Sequence, residues 1–177
     1  MNSPIQYRLG RGDVIEDVND AWVSFARDNG APELLPERVL GQTVWTFVHG
    51  PAVQYMWQLI FGRARQERAA LRLPYRCDAP RTRRYLEMEV SAPDGVLVTC
   101  TSRTVWEESR PAVEWFVQDR DPSDEHLIMC SWCNRARLHQ RWVEIEQAID
   151  ELHLFDRRLG APISHGICEA CVQKVLR

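Results

Sequence analysis

Residues 69–106 read AALRLPYRCDAPRTRRYLEMEVSAPDGVLVTCTSRTVW, and this stretch decides the fold. Apolar residues occupy every second position in residues 71–77 and again in residues 86–90, a spacing that marks half-buried antiparallel strands. Residues 96–106 are rich in β-branched residues, which favour strands. The sequence Pro93-Asp94-Gly95 is typical of a hairpin turn. We therefore predict a three-stranded meander over residues 69–77, 84–91 and 96–106.

The residues before the meander predict two short strands followed by helices. Residues 7–9 and 14–18 are β-like and are joined by the turn sequence GRGD at residues 10–13. Asn19 is placed to cap a helix over residues 20–29, because its side chain can accept a backbone N–H. Residues 39–48 are compact and apolar, and we expect a helical turn there. Gly50-Pro51 then opens an amphipathic helix that runs to residue 65.

This order of elements resembles a PAS domain over residues 5–108. The resemblance is carried by VIEDVN at residues 14–19, VLGQTVW at residues 39–45, YRCDAP at residues 75–80 and the closing meander. It implies an α+β fold in which a five-stranded antiparallel sheet packs helices on one face. It also implies a sensory or protein-interaction role, with a small molecule as a possible ligand.

Two cysteine pairs near the C-terminus predict a metal site. Cys130 and Cys133 form one C-x-x-C motif, and Cys168 and Cys171 form the second. Each spacing lets two thiolates reach one ion from the same turn, and four thiolates match tetrahedral zinc. An iron–sulfur cluster or redox-active dithiols would use the same residues. No histidine follows either pair, which argues against covalent haem attachment.

The elements around the cysteine pairs predict a small treble-clef-like module. Helical spacing indicates a helix over residues 141–155 and another over residues 169–176, so the second pair lies at a helix N-terminus, which favours thiolate. His165 is expected to donate a hydrogen bond to a cysteine ligand, or to serve as a turn residue, rather than to bind the ion itself. The pattern of paired cysteines with SHGI at residues 164–167 also resembles a C-terminal segment that follows PAS domains in some bacterial signalling proteins.

Charge divides the chain into three parts. Residues 110–125 hold 2 arginines and 5 acidic residues, which is typical of a solvated linker, and residues 113–117 within them could form a helix that leaves the sheet. We therefore predict a PAS-like sensory domain over residues 1–109, an acidic linker or helix over residues 110–125, and a Cys₄ zinc module over residues 126–177. The arginines at positions 76, 81, 83 and 84 are interpreted as a solvated rim, with an anion site as the alternative.

The ligand pocket of a PAS-like domain would be lined by aromatic and small apolar side chains. The candidates are Trp22, Phe25, Trp45, Phe47, Tyr55, Trp57, Phe61 and Cys100. The central helix contains no histidine, which disfavours haem. Paired catalytic carboxylates, a Ser/His/Asp arrangement and a phosphate-binding loop are absent in convincing form. The protein is therefore not expected to be an enzyme.

Composition restricts the location and the partners. The chain has 6 cysteines, no export signal at its N-terminus and no apolar run of membrane-spanning length, so we expect reduced thiols in the cytoplasm and no membrane contact. The net charge of −3 makes nucleic acid an unlikely partner, and a protein partner or a homodimer is expected instead. The predicted function is a PAS-type module of bacterial signal transduction with a structural zinc site. The alternatives are a regulator that uses the cysteine module as a nucleic-acid-binding finger, or an iron–sulfur or thiol redox sensor.

Overall fold

The computed structural model describes residues 3–79, 81–111, 127–152 and 163–176. The chain divides into two compact units, of which the first comprises Met1–Pro74 and Leu86–Val105, and the second Tyr75–Tyr85 and Trp106–Arg177. The predicted linker lies outside the described residues from position 112 onward, and so does the helix predicted over residues 113–117. The division into residues 1–109, 110–125 and 126–177 stays a prediction.

Five strands form an antiparallel sheet, as the meander and the preceding strands predicted. Their spatial order is β2-β1-β5-β4-β3, so β1 and β5, the first and last of these five strands along the chain, are neighbours in the sheet. The strands are β1 (Ile5–Leu9), β2 (Ile15–Val18), β3 (Leu71–Arg76), β4 (Thr82–Ser91) and β5 (Val98–Ser109).

Alternating burial shows why these residues form half-buried strands. Residues 86, 88 and 90 of β4 and residues 98, 100 and 102 of β5 are buried, and the residues between them are more exposed. In β1, Tyr7 lies opposite Cys100 and Leu9 lies opposite Val98. The period-two pattern in the sequence therefore identified the buried residues of β4, but at the end of β3 it is wrong, because Arg76 is buried while Tyr75 is half-buried.

Three helices connect β2 to β3, namely α1 (Asp20–Asp28), α2 (Pro36–Val39) and α3 (Pro51–Glu67). Asn19 caps α1 as predicted, because its side-chain oxygen accepts the backbone N–H of Trp22 at 3.0 Å. A 3₁₀ turn at Val44–Thr46 corresponds to the predicted helical turn. Helix α3 begins at Pro51 and ends at Glu67, and its C-cap residue Arg68 adopts a left-handed backbone conformation.

The second unit contains a four-stranded sheet and two helices. The strands are β6 (Leu127–Cys130), β7 (Ala136–Leu138), β8 (Arg141–Val143) and β9 (Ile163–Gly166), and the helices are α4 (Ile145–Leu152) and α5 (Glu169–Leu176). The sheet order is β8-β7-β6-β9, with β6 and β9 parallel.

The helix predicted over residues 141–155 is wrong at its start. His139 has a φ of 55°, which closes a tight hairpin in which Trp142 of β8 lies opposite Arg137 of β7. The helix therefore begins only at Ile145, and residues 153–155 lie outside the described part of the chain. The helix predicted over residues 169–176 is confirmed as α5.

Side chains from β6, β7, β8 and α4 form the apolar core of the second unit. Its buried members are Leu127, Met129, Ala136, Leu138, Val143, Ile145, Ala148 and Ile149. Among the described residues, no helix is both long enough and apolar enough to cross a membrane.

Candidate metal centre

The four cysteines of the two C-x-x-C motifs come together at one point of the second unit. Cys130 ends β6, Cys133 follows it in a turn, Cys168 directly precedes α5, and Cys171 lies in the first turn of that helix. We call these four residues the cysteine cluster. Their sulfur atoms all lie within 4.8 Å of one another.

The first pair is presented by a tight turn. The backbone N–H of Asn134 donates to the carbonyl of Cys130 at 2.9 Å, and the N–H of Cys130 donates to the carbonyl of Arg135 at 2.8 Å. Asn134 has a φ of 55°, a left-handed conformation that asparagine tolerates better than most residues. This turn directs both thiols of the pair to the same side.

The parallel pairing of β6 with β9 brings the second pair to the first. Cys130 lies opposite Gly166, and the N–H of Ser131 donates to the Gly166 carbonyl at 2.9 Å. A Cβ atom at Gly166 would lie 3.3 Å from the Ile128 side chain, so the position favours glycine. Two residues later, the N–H of Cys168 donates to the sulfur of Cys130 at 3.3 Å.

The geometry fits a single tetrahedral ion. With four thiolates at a zinc–sulfur distance of about 2.3 Å, neighbouring sulfurs would lie about 3.8 Å apart. The sulfurs of Cys133 and Cys168 are 3.8 Å apart, and the other pairs of the cluster do not exceed 4.8 Å. Three members are buried and Cys133 is half-buried, which is the environment of a closed structural site.

The thiols share protons within the cluster. Hydrogen bonds from Cys133 and Cys171 stabilise the thiolate of Cys130 and hold its pKa well below the usual range. The same hydrogen bond to Cys130 raises the pKa of Cys133 to about 12, and hydrogen bonds with Cys130 and Cys133 raise that of Cys171. A bound cation would favour the thiolate form of all four residues, because it would compensate their negative charge.

His165 lies on β9 opposite Met129, and its side chain is exposed. It lines a cavity of about 480 Å³ together with residues of β3, β6 and the first cysteine turn. The predicted supporting role of His165 at the cysteine cluster stays a prediction.

Cys77 and Cys100 do not belong to the cysteine cluster. Burial raises the pKa of Cys77, and it raises the pKa of Cys100 to about 12. Both thiols are therefore held in their protonated form at neutral pH, as expected for cysteines that behave as small apolar side chains.

The predicted pocket residues fall into separate places in the first unit. The rings of Trp45 and Trp57 lie 5.8 Å and 5.4 Å from the ring of buried Phe61, so these three form one aromatic cluster. Trp22 instead packs edge-on against Tyr7 and donates its indole N–H to a backbone carbonyl.

The other predicted pocket residues lie elsewhere. Tyr55 is 60% exposed, Phe47 is half-buried, and Cys100 is fully buried on β5. Phe25 lines a cavity of about 580 Å³ that otherwise contains mainly polar and small residues of β1 and α1. The structure thus brings together only part of the predicted set, and a ligand pocket stays a prediction.

The second unit also contains a network of buried and partly exposed ion pairs that the sequence did not predict. We call it the arginine network, and its members are Arg76, Arg83, Arg110, Arg135, Asp78, Glu108, Glu144 and Glu146. Four arginines meet four carboxylates, so the formal charges balance. The acidic members at 144 and 146 are far along the chain from the arginines at 76 and 83.

Asp78 is the most deeply buried carboxylate of the arginine network. Its side chain is 1% exposed and accepts hydrogen bonds from the guanidinium groups of Arg76 and Arg110, whose side chains are 8% and 2% exposed. The backbone N–H of Arg84 also donates to it at 3.3 Å. The interpretation of these arginines as a solvated rim is therefore wrong for Arg76, while Arg81 is exposed.

Comparison with known proteins gives only distant structural similarity. No family model and no curated protein matches the chain. Two solved structures of the RpfR quorum-sensing receptor PAS domain from Cronobacter turicensis, one in complex with C12:0 and one in complex with BDSF, are similar to it. Each is 14% identical, covers 60% of this chain and 97% of its own, and has a TM-score of 0.42.

Proposed function

We propose that the protein is a PAS-type sensory or protein-interaction module with a structural zinc site at the cysteine cluster. The observation that carries the metal site is the approach of four thiol sulfurs within 4.8 Å, presented by a tight turn and a helix N-terminus. The PAS-type assignment is supported by the order of elements. Two strands are followed by three helices and a three-stranded meander, and the five strands form one antiparallel sheet.

The spacing of the sulfurs favours a single ion over an iron–sulfur cluster. Thiolates that surround a multi-iron core must be farther apart than thiolates that share one ion, because the core is larger than a single ion. The 3.8 Å separation of Cys133 and Cys168 corresponds to one edge of a tetrahedron around one ion. Zinc would then act by stabilising the fold of the second unit, typically by on the order of 10 kcal/mol.

Elemental analysis of protein purified without oxygen tests the metal site. We expect one zinc per chain and no absorption band in the visible range. Cys130→Ser and Cys168→Ser should lose the zinc, whereas Cys77→Ser should keep it, because Cys77 is in the same unit but outside the cluster. A brown protein that absorbs near 400 nm would show that the cysteines bind an iron–sulfur cluster instead of zinc. A metal-free protein with rapidly titrating thiols would favour the redox alternative.

We assign the sensory role to the PAS-like residues 1–109, and we propose that these residues bind a small-molecule ligand or a protein partner. Native mass spectrometry of the purified chain tests both, since a retained small molecule adds mass to the monomer and a homodimer doubles it. A protein that is monomeric and carries no added mass at micromolar concentration would count against both a retained ligand and a homodimer. The proposal would then require a different protein as the partner. A role in bacterial signal transduction is part of the same proposal, because the paired cysteines with SHGI at residues 164–167 resemble a segment that follows PAS domains in some bacterial signalling proteins.

A further inference from the structure

The second unit includes residues 75–85 at the end of the β3–β4 hairpin, and residues 106–110, which are the last four residues of β5 and Arg110 directly after it. We call these two segments the sheet end. The resemblance assigns them to the PAS-like sheet, yet in the structure they belong to the same compact unit as the cysteine cluster. Whether the order of the sheet end depends on the cysteine cluster is therefore decided by the contacts between them.

The first contact joins β3 to the cysteine turn through the backbone. The N–H of Arg76 donates to the carbonyl of Trp132 at 2.8 Å. Trp132 lies between Cys130 and Cys133, and its side chain is buried. The conformation of the turn that presents two of the four thiols thus fixes a hydrogen-bond acceptor for β3.

The second contact uses Glu144 as a bridge between the sheet end and the same turn. One carboxylate oxygen accepts from the Arg76 guanidinium at 2.8 Å, and the other accepts from Arg135 at 3.1 Å. Arg135 follows Cys133 by two residues, and Glu144 directly precedes α4. A shift of the turn would therefore disturb both partners of this carboxylate.

The third contact joins the remaining strands to helix α4. Arg83 of β4 donates to Glu146 at 2.9 Å, and Arg110, which follows β5, lies 3.4 Å from the same residue. Arg110 also donates to the carbonyl of Ala79 at 2.8 Å. All three strands of the meander are thus connected to residues 144–146.

Buried charges make these contacts interdependent. Removing one member of a buried ion pair leaves its partner desolvated without compensation, so such pairs form together or not at all. Arg76, Asp78 and Arg110 belong to the sheet end, pair with one another and are each less than one-tenth exposed. Arg76 and Arg110 also pair with the partly exposed Glu144 and Glu146 at the start of α4, so these two arginines keep all their partners only when both segments are in place. Disorder on one side therefore destabilises the other.

We propose that metal binding at the cysteine cluster controls the order of the sheet end, through the arginine network. This inference rests on the proposed metal site, because an ion would hold the two thiolates of the cysteine turn against the two at the start of α5. With the metal removed, the turn loosens, the Trp132 carbonyl and Arg135 lose their positions, and the charges of the sheet end lose their partners. The sheet end then becomes the part of the PAS-like sheet that responds to metal.

Hydrogen exchange of the full chain, followed by mass spectrometry, tests the coupling. The zinc-loaded protein is compared with protein treated with a zinc chelator and with chelated protein to which zinc is restored. We expect amides in residues 75–85 and 106–110 to exchange on the order of tenfold faster after chelation and to recover with zinc, while α3 of the first unit is unchanged.

Two variants, one directly before α4 and one in its last turn, separate coupling from general destabilisation. Glu144→Gln removes the bridge, so its sheet end should exchange rapidly even with zinc bound, and chelation should add little. Glu151→Gln is the matched control, because its exposed pair with Arg141 lies outside the arginine network, and it should respond to chelation like the wild type.

The outcomes distinguish the coupling from the metal site itself. Zinc content is measured on every sample. A chain that binds no zinc overturns both the metal site and the coupling. A chain that binds one zinc, but whose sheet end exchanges at the same rate before and after chelation, keeps the metal site and overturns the coupling. A Glu144→Gln protein with wild-type exchange and a wild-type response to chelation also overturns it.

Discussion

Replacement of Asp78 by asparagine tests whether the arginine network stabilises the second unit. Asparagine keeps the size of the side chain and removes its charge, so the two guanidinium groups of Arg76 and Arg110 lose a shared buried carboxylate. Breaking a buried ion pair from one side costs about 3–5 kcal/mol.

The contacts that remain place the expected loss at the lower end of that range. Arg76 keeps Glu144 at 2.8 Å, and Arg110 keeps the Ala79 carbonyl at 2.8 Å and Glu146 at 3.4 Å. The amide oxygen of asparagine can still accept the N–H of Arg84. We therefore expect Asp78→Asn to lower the free energy of unfolding by about 3 kcal/mol, which lowers Tm by roughly 6–12 °C in a chain of this length.

Urea unfolding followed by circular dichroism and tryptophan emission measures this loss. Asp17→Asn is the matched control, because it removes the same charge from an ion pair with Arg8 in which both side chains are almost half exposed. Such exposed pairs contribute about 0–1 kcal/mol. If the two variants lose the same small amount, with unchanged dependence on urea, the arginine network is not a stabilising element and the reasoning fails.

Three further predictions concern a helix cap, the core and pH. Asn19→Ala should cost about 1 kcal/mol in urea unfolding because α1 loses its N-cap, whereas Asn19→Asp should cost less since it keeps the acceptor. Phe61→Ala should cost about 3–5 kcal/mol by the same measurement, and Phe61→Leu clearly less, because the side chain is fully buried. Burial raises the pKa of Glu144, but hydrogen bonds from Arg76 and Arg135 outweigh it and lower the pKa overall. Its contribution to stability is therefore complete above the unfolded pKa of about 4.3 and is lost as pH falls through the lower folded pKa. The free energy of unfolding, measured between about pH 7 and pH 3, should consequently fall less with decreasing pH in Glu144→Gln than in wild type.

The features that the sequence predicted correctly are those set by residues close together in the chain. The C-x-x-C spacing identified the cysteine cluster, because two ligands in one turn are separated by a fixed distance along the chain. Period-two alternation identified the buried face of β4, and the Asn19 cap and Pro51 start marked the beginnings of α1 and α3. Each of these features depends on residues only a few positions apart.

The hairpin of β7 and β8 was missed because its strands are too short to show a period. Each contains three residues, and Trp142 happened to fall at helical spacing from Ile145 and Ile149. What decides the structure is the left-handed conformation of His139, a residue type that is not a strong turn signal. Once the hairpin forms, the Trp142 indole donates to Glu169 at 3.0 Å, at the start of α5.

The arginine network could not be predicted because its partners are far apart in the sequence. Arg76 is 68 residues from Glu144, and Arg83 is 63 residues from Glu146. Charge counted over contiguous segments gave a nearly neutral value for residues 126–177 and an acidic value for residues 110–125. Those sums treat Glu144 and Glu146 as surface charges, although they compensate arginines of β3 and β4. A boundary drawn from local charge at residue 109 therefore separates carboxylates from the buried guanidinium groups that need them, and only the three-dimensional pairing reveals that dependence.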